Sequence, residues 1–363
     1  MKFIPLAEPK ISKKDSKAVE KQVFSSFVGP GKVTEEFANE IALTSNRKFA
    51  VPLNSGSVAL SIAAKVLNLK PGDEIAIPCY GVFSVINAFA FCGLKPKLID
   101  INMKTGCMDP KKLEKAITPA TKAVCFINFL GSIGKEIEEV ARICKQHNIP
   151  LIEDGAWSLG RKSQNKIGGS IGDISITSFS VPKIISTGQG GAIMTDCLET
   201  KNKIIELSDQ GGLNWRKENN INSIGSNLRM CDINSTLGLS QIKELDKRHK
   251  LKMKIFRKIQ KILDNNLVET SDKNYPFQNI IFVKDKDKTL EMLKKSNIMA
   301  ADQYNLFNNL NPYKNLGENE NFEAGLFWKN HAVYLPFGIG TSLEDMEDMA
   351  HRVMDLKIDF IKL

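Results

Sequence analysis

The chain has 363 residues, 42% hydrophobic and 25% charged, which is ordinary for a soluble globular protein with room for two domains. No apolar run approaches the roughly 20 residues of a membrane span. The opening Met1-Lys2-Phe3-Ile4-Pro5-Leu6 has no apolar signal core, so a cytoplasmic enzyme is the expectation.

From residue 49 to 195, strand-like runs alternate with helical patterns. The runs are Phe49–Leu53, Glu74–Ile77, Pro96–Ile101, Ala123–Phe126, Leu151–Glu153, Ile174–Phe179 and Ala192–Thr195. Helical patterns occupy Ser57–Leu67, Ser84–Phe91, Pro110–Ala116 and Glu136–His147. Strands alternating with helices predict crossover units and a mostly parallel sheet covered on both faces. Ligands of such sheets bind beyond the carboxyl ends of the strands.

After about residue 245 the pattern changes to a smaller α/β unit. It has a strand over Asn279–Val283 and helices over Lys288–Lys295 and Leu343–Leu356. The expected division is a large domain over 1–245 and a small one over 246–363. The Asn- and Lys-rich residues 305–324 read as an irregular loop. Much of the +9 net charge, from 50 basic and 41 acidic residues, falls in Lys243–Lys261. That segment reads as a helix with Leu245, Leu251, Ile255 and Ile262 inward. It lacks interleaved aromatic residues for base stacking, which argues for a solvated linking helix over a nucleic-acid face.

Seven cysteines without a CxxC pair, and four histidines without ligand spacing, argue against a zinc or iron centre. Three other places carry chemistry. Asn54-Ser55-Gly56-Ser57 follows the first core run and opens a helix. Glycine admits a phosphate to the backbone there, although Ser55 or Ser57 is equally an ordinary helix cap. Ile152-Glu153-Asp154 ends one strand in an acid. Ser178-Phe179-Ser180-Val181-Pro182-Lys183, closed by Gly188-Gln189-Gly190-Gly191, puts a lysine just beyond another strand. An amine and a carboxylate converging from two strand ends are what pyridoxal phosphate chemistry requires: one for the Schiff base, one for the pyridine nitrogen.

These motifs, with Ser26-Phe27-Val28-Gly29-Pro30-Gly31, Gly155-Ala156, Gly172-Asp173 and Gly225-Ser226-Asn227-Leu228-Arg229-Met230, run in order along nearly the whole chain. Together they resemble the DegT/DnrJ/EryC1/StrS family of sugar aminotransferases. The resemblance implies the fold-type I pyridoxal phosphate architecture, a large domain with a mostly parallel seven-stranded sheet plus a smaller C-terminal domain. It implies that Lys183 holds the cofactor as a Schiff base and shuttles the proton. Asp154 would pair with the pyridinium nitrogen, and Ala156 would pack on a ring face. Gly56, Ser57 and Ser178 would hold the phosphate, with Asn227 reaching across a homodimer from the partner. Arg229 would touch substrate or cofactor across the same interface, or else form a surface ion pair.

The sequence departs from the family pattern at three places. Pro78-Cys79-Tyr80-Gly81-Val82-Phe83 puts Val82 where an aromatic usually stacks on the ring. Either Tyr80 or Phe83 replaces it, or the contact is aliphatic. Trp157 stands where a polar residue usually meets the cofactor's phenolic oxygen, as a substrate contact or as a core aromatic. Tyr304-Asn305-Leu306-Phe307-Asn308 lacks the family's histidine.

Lysine at 183, in place of the histidine of the family's dehydratases, implies transamination. The implied donor is L-glutamate and the implied acceptor a nucleotide-linked 4-keto-6-deoxyhexose. A keto-phosphate or keto-cyclitol is the alternative acceptor, and a non-catalytic cofactor-binding regulator is a third reading. No nucleic-acid or membrane partner is implied.

Overall fold

The computed structural model describes residues 1–363 apart from Gln164, residues 271–275 and Asn319. Seven strands form the central sheet: β1 Phe49–Leu53, β2 Glu74–Pro78, β3 Lys95–Ile99, β4 Thr121–Ile127, β5 Leu151–Asp154, β6 Ile174–Ser178 and β7 Gly191–Thr195. Their spatial order is β1-β7-β6-β5-β4-β2-β3. The four pairings from β6 through β5, β4 and β2 to β3 are parallel, whereas β7 runs antiparallel to both β1 and β6.

The reversal of β7 follows from its connection. A parallel neighbour needs a long crossover, and the link from Ser178 to Gly191 contains no helix. Phe179 N–H donates to Gly190 O at 2.9 Å, pinching that link into a closed loop. Because β7 is reversed, its first residue Gly191 lies beside Leu53 and Ser178 at the carboxyl ends of β1 and β6.

Both faces of the sheet are covered. Gly56–Val66 packs across β1, β6 and β7, burying Ala59, Leu60, Ile62, Ala63 and Ala64. Small residues on that face let the helix approach closely. Lys135–Gln146 turns Ile137, Val140, Ile143 and Cys144 inward.

A second layer is built on β8 Asn279–Phe282 and β9 Ala332–Leu335, an antiparallel pair. Helices Leu245–Ile262, Lys286–Lys295 and Leu343–Asp355 enclose it around Ile255, Ile259, Ile281, Val333, Met346 and Met349. The chain's first residues join this layer, since Ile4 bridges to Ile298. The two layers meet in an aromatic cluster in which Phe129 and Trp328 pack edge to face at 5.4 Å. Each such fully buried ring contributes about 1.5–3 kcal/mol.

The basic helix buries more than its apolar stripe. Leu245 and Ile255 are inward as expected, but Leu251 and Ile262 are only half-buried, while Arg248 and Lys252 are enclosed. Arg248 pairs with Asp15 at 3.7 Å and donates to Lys10 O at 3.0 Å. Lys252 donates to Phe337 O.

Residues 305–324 are more ordered than a loop. Asn305–Leu306 pairs with Tyr80–Gly81, two short 3-10 turns follow, and the helix Glu323–His331 begins within the stretch; Asn319 lies outside the described residues. Among the described residues, no helix is long and apolar enough to cross a membrane.

Candidate active site

Two adjacent acids end β5, and the strand's alternation gives them different work. Glu153 is consumed by structure. Its carboxylate accepts Asn128 Nδ2 and Gly169 N–H at 2.7 Å, Ile171 N–H at 2.8 Å and Gly172 N–H at 3.0 Å. Asp154 points into a cavity and accepts the Ala156 N–H at 3.0 Å. Burial raises its pKa; the Ala156 N–H and Lys183 act in the opposite sense, and Glu153 adds to the rise.

Lys183 closes a turn in which its N–H donates to Ser180 O at 3.0 Å. The loop beyond is clamped from the helix Asp232–Ile242. Gln241 accepts the Ser186 N–H at 3.0 Å and donates to Ser186 O at 2.6 Å, and Asn234 donates to Thr187 O at 2.7 Å. The amine lies 5.1 Å from the centre of the Trp157 ring and 5.3 Å from that of Phe277. Burial lowers its pKa to about 7, against the pull of Asp154. A lysine so placed exchanges its proton near neutrality.

The third wall is a helix N-terminus. Ser55 caps Gly56–Val66, its hydroxyl accepting the Val58 N–H at 3.2 Å. The Gly56 and Ser57 amides, ahead of the first intrahelical bond, are left for an anion. A β-carbon on Gly191 would come to 2.5 Å from Gly56 N, so only glycine lets the helix start sit this close to the sheet.

Gly56, Ser57, Asp154, Ala156, Trp157, Ser178 and Lys183 thus border one cavity of about 150 Å³. A wider groove of about 730 Å³ follows the basic helix, but it is lined mainly by lysine and arginine stems and carries no comparable acid–amine pair.

Other expected residues lie elsewhere. Tyr80 is core: its hydroxyl is 2.8 Å from that of Tyr334, and its ring packs edge-on to Tyr304. Phe83 starts the helix Phe83–Phe91, 38% exposed and outside the cavity lining. Val82, at that helix's cap, lines the cavity instead, so the contact on this side is aliphatic. Trp157 is both buried and cavity-lining. Asn227 is exposed and does not line its own chain's cavity. Arg229 pairs with Asp209 at 3.0 Å.

Sequence reasoning missed Phe277, Gln241 and Asn234, which come to the site from distant segments. The donor set fits pyridoxal phosphate: an amine, a buried carboxylate, free helix-start amides and flat apolar contacts at Val82 and Ala156 enclose a ring-sized space.

Comparison with known proteins agrees. The DegT/DnrJ/EryC1/StrS aminotransferase family model matches residues 9–354. The chain is 28% identical to the spore coat polysaccharide biosynthesis protein SpsC of Bacillus subtilis, over 98% of this chain and 97% of that one. It is 30% identical to the GDP-perosamine synthase of Escherichia coli O157:H7, over 68% and 67%. Helicobacter pylori PseC, an aminotransferase involved in the biosynthesis of pseudoaminic acid, has a solved structure that superposes with a TM-score of 0.91. It is 26% identical and covers 98% of this chain and 99% of that one.

Proposed function

The chain belongs to this family and is a pyridoxal phosphate-dependent aminotransferase, and we propose that it moves an amino group from L-glutamate to a nucleotide-linked 4-keto-6-deoxyhexose. The observation that carries the reading is the meeting of Lys183 and Asp154 in one cavity beside a helix start whose amides suit an anion. A relative from Shigella dysenteriae, 28% identical over 84% of this chain, is named dTDP-4-amino-4,6-dideoxy-D-glucose transaminase, and that nucleotide-linked 4-amino sugar supports the choice of acceptor.

When bound, the cofactor supplies an aldehyde that captures amines and a ring that takes up electron density from the substrate carbon. Lys183 does the proton work. With a pKa near 7 its amine is substantially neutral at physiological pH, able first to act as nucleophile and then to accept and return the substrate-carbon proton. Asp154 holds the ring nitrogen. Burial raises its pKa, so a cation against the carboxylate is favoured, and it would favour a protonated ring over a neutral one.

Val82 and Ala156, which line the cavity with carbon, would pack against the ring. The Gly56 and Ser57 amides, with the Ser57 and Ser178 hydroxyls, anchor the phosphate, and Asn227 of the partner subunit completes that anchor in a homodimer. Arg229, tied to Asp209 in its own chain, is a candidate for reaching the neighbouring site.

The test is a coupled assay of purified enzyme with L-glutamate and a panel of GDP-, dTDP- and UDP-linked 4-keto-6-deoxyhexoses, beside keto-phosphates and keto-cyclitols. Turnover of one or more nucleotide sugars is expected. Turnover confined to the smaller keto compounds would overturn the assigned acceptor while leaving the reaction class intact.

A further inference from the structure

The Lys183 amine faces carbon, and feels the Asp154 charge without an ion-pair contact to it. The Trp157 and Phe277 rings are nearly parallel, 8° apart, with centroids 5.6 Å from each other. Parallel rings at that separation are offset, so each leaves part of a face uncovered. The amine lies within 5.3 Å of both centroids, inside the roughly 6 Å range over which a ring attracts a cation. Both rings are buried, at 5% and 6% exposure, so water screens the attraction little.

Phe277 comes from the second layer, and its place is set twice. Its N–H donates to Leu130 O at 2.7 Å, just beyond β4. Its ring packs at 5.5 Å on Phe337, whose carbonyl is held by Lys252. Trp157 comes from the turn after β5. The berth for the amine is therefore assembled from both layers, and neither ring alone completes it.

We propose that Phe277 is a positioning residue for Lys183: stacked on Trp157, it completes an aromatic berth that steadies the ammonium form of the amine whenever that amine is not bonded to cofactor. The chemistry requires such a berth. Once released from the cofactor, the lysine that has accepted the substrate-carbon proton must stay within reach, as an ammonium, to return it. A carboxylate partner would trap it as a cation, and an open mouth would let it swing into water. Two ring faces steady the ammonium and present no acceptor that would turn it away from the cavity. The charged group facing the amine is Asp154, on β5; the segments carrying Trp157 and Phe277 present carbon.

This inference rests on the assignment of Lys183 as the reacting amine, and the experiment separates the two. In apoprotein, the acylation rate of Lys183, followed by peptide mass spectrometry against pH, reports the midpoint of its titration without any cofactor. Phe277→Leu keeps an apolar side chain but removes the π face. Phenylalanine at 277 replaced by mono-, di- and trifluorinated analogues weakens that face with little change of shape.

The expected result is a midpoint that falls stepwise along the fluorinated series. With Leu the fall reaches roughly one pH unit, about tenfold faster acylation below the midpoint. A flat or rising midpoint across the fluorinated series overturns the proposal, whatever Phe277→Leu does, and that series still decides if the Leu variant misfolds. Borohydride trapping of cofactor on Lys183 is read separately, so failure there counts against the reacting-amine assignment and not against the berth.

Discussion

A β-carbon placed on Gly56 would lie 2.9 Å from the β-carbon of Ser178. The helix start is pressed against Ser178 at the end of β6, and that approach puts two free amides and a serine hydroxyl at one end of the cavity. Gly56→Ala should push the helix off the strand, at a cost of about 1–3 kcal/mol. Cofactor affinity should fall more than stability suggests, at least about tenfold, because the phosphate amides move with the helix. Equilibrium binding of pyridoxal phosphate, set beside urea denaturation of the apoprotein, separates the two effects. Unchanged affinity would remove Gly56 from the phosphate site.

Asp154→Asn should fold normally, since the amide oxygen still accepts the Ala156 N–H. It removes the charge that holds the Lys183 pKa up, so the amine midpoint should drop below about 7. Turnover should fall by about 100-fold or more through loss of the group that keeps the ring protonated. Near-wild-type turnover would place the ring nitrogen elsewhere.

Lys183 and Lys252 both have pKa values lowered from 10.5 to about 7, chiefly by burial. Between those limits the unfolded chain binds more protons than the folded one, so stability rises with pH across the window. The slope is up to roughly 1.4 kcal/mol per pH unit for each lysine. In Lys252→Met one share disappears, and the plot of apoprotein stability against pH should become shallower from neutrality upward. Denaturant midpoints at several alkaline pH values measure this. Parallel plots for the two proteins would mean that Lys252 is not neutral when folded.

Asn227 is exposed in its own chain and does not line that chain's cavity. If it serves the partner's site, a hybrid of Lys183→Ala and Asn227→Ala chains contains one intact site, and mixing two impaired preparations should raise activity above either alone. Activity no higher than that of the Asn227→Ala preparation would mean each chain builds its site unaided.

Much of the frame was legible in the sequence because buried parallel strands write themselves as short apolar runs bounded by turns. All seven core strands fall within a residue or two of those runs. The direction of Gly191–Thr195 was not read, although the helix-free link before it carried the signal. Asp154, Lys183 and Gly56 were readable because strand ends and helix starts leave local marks. Phe277 was not, since its meaning lies in a contact with Trp157 that no local pattern records. Lys252 and Arg248 were hidden by charge, for lysine and arginine on a helix read as solvated unless the packing around them is known. Tyr80 misled for the converse reason: an aromatic near the right place in sequence can be claimed by the core.

The most direct test of the account is borohydride reduction of the cofactor-loaded protein followed by peptide mapping. Pyridoxal phosphate should be found fixed to Lys183, and Lys183→Ala should bind it without fixation. Cofactor fixed to another lysine in the wild-type protein, or none fixed at all, would contradict the account.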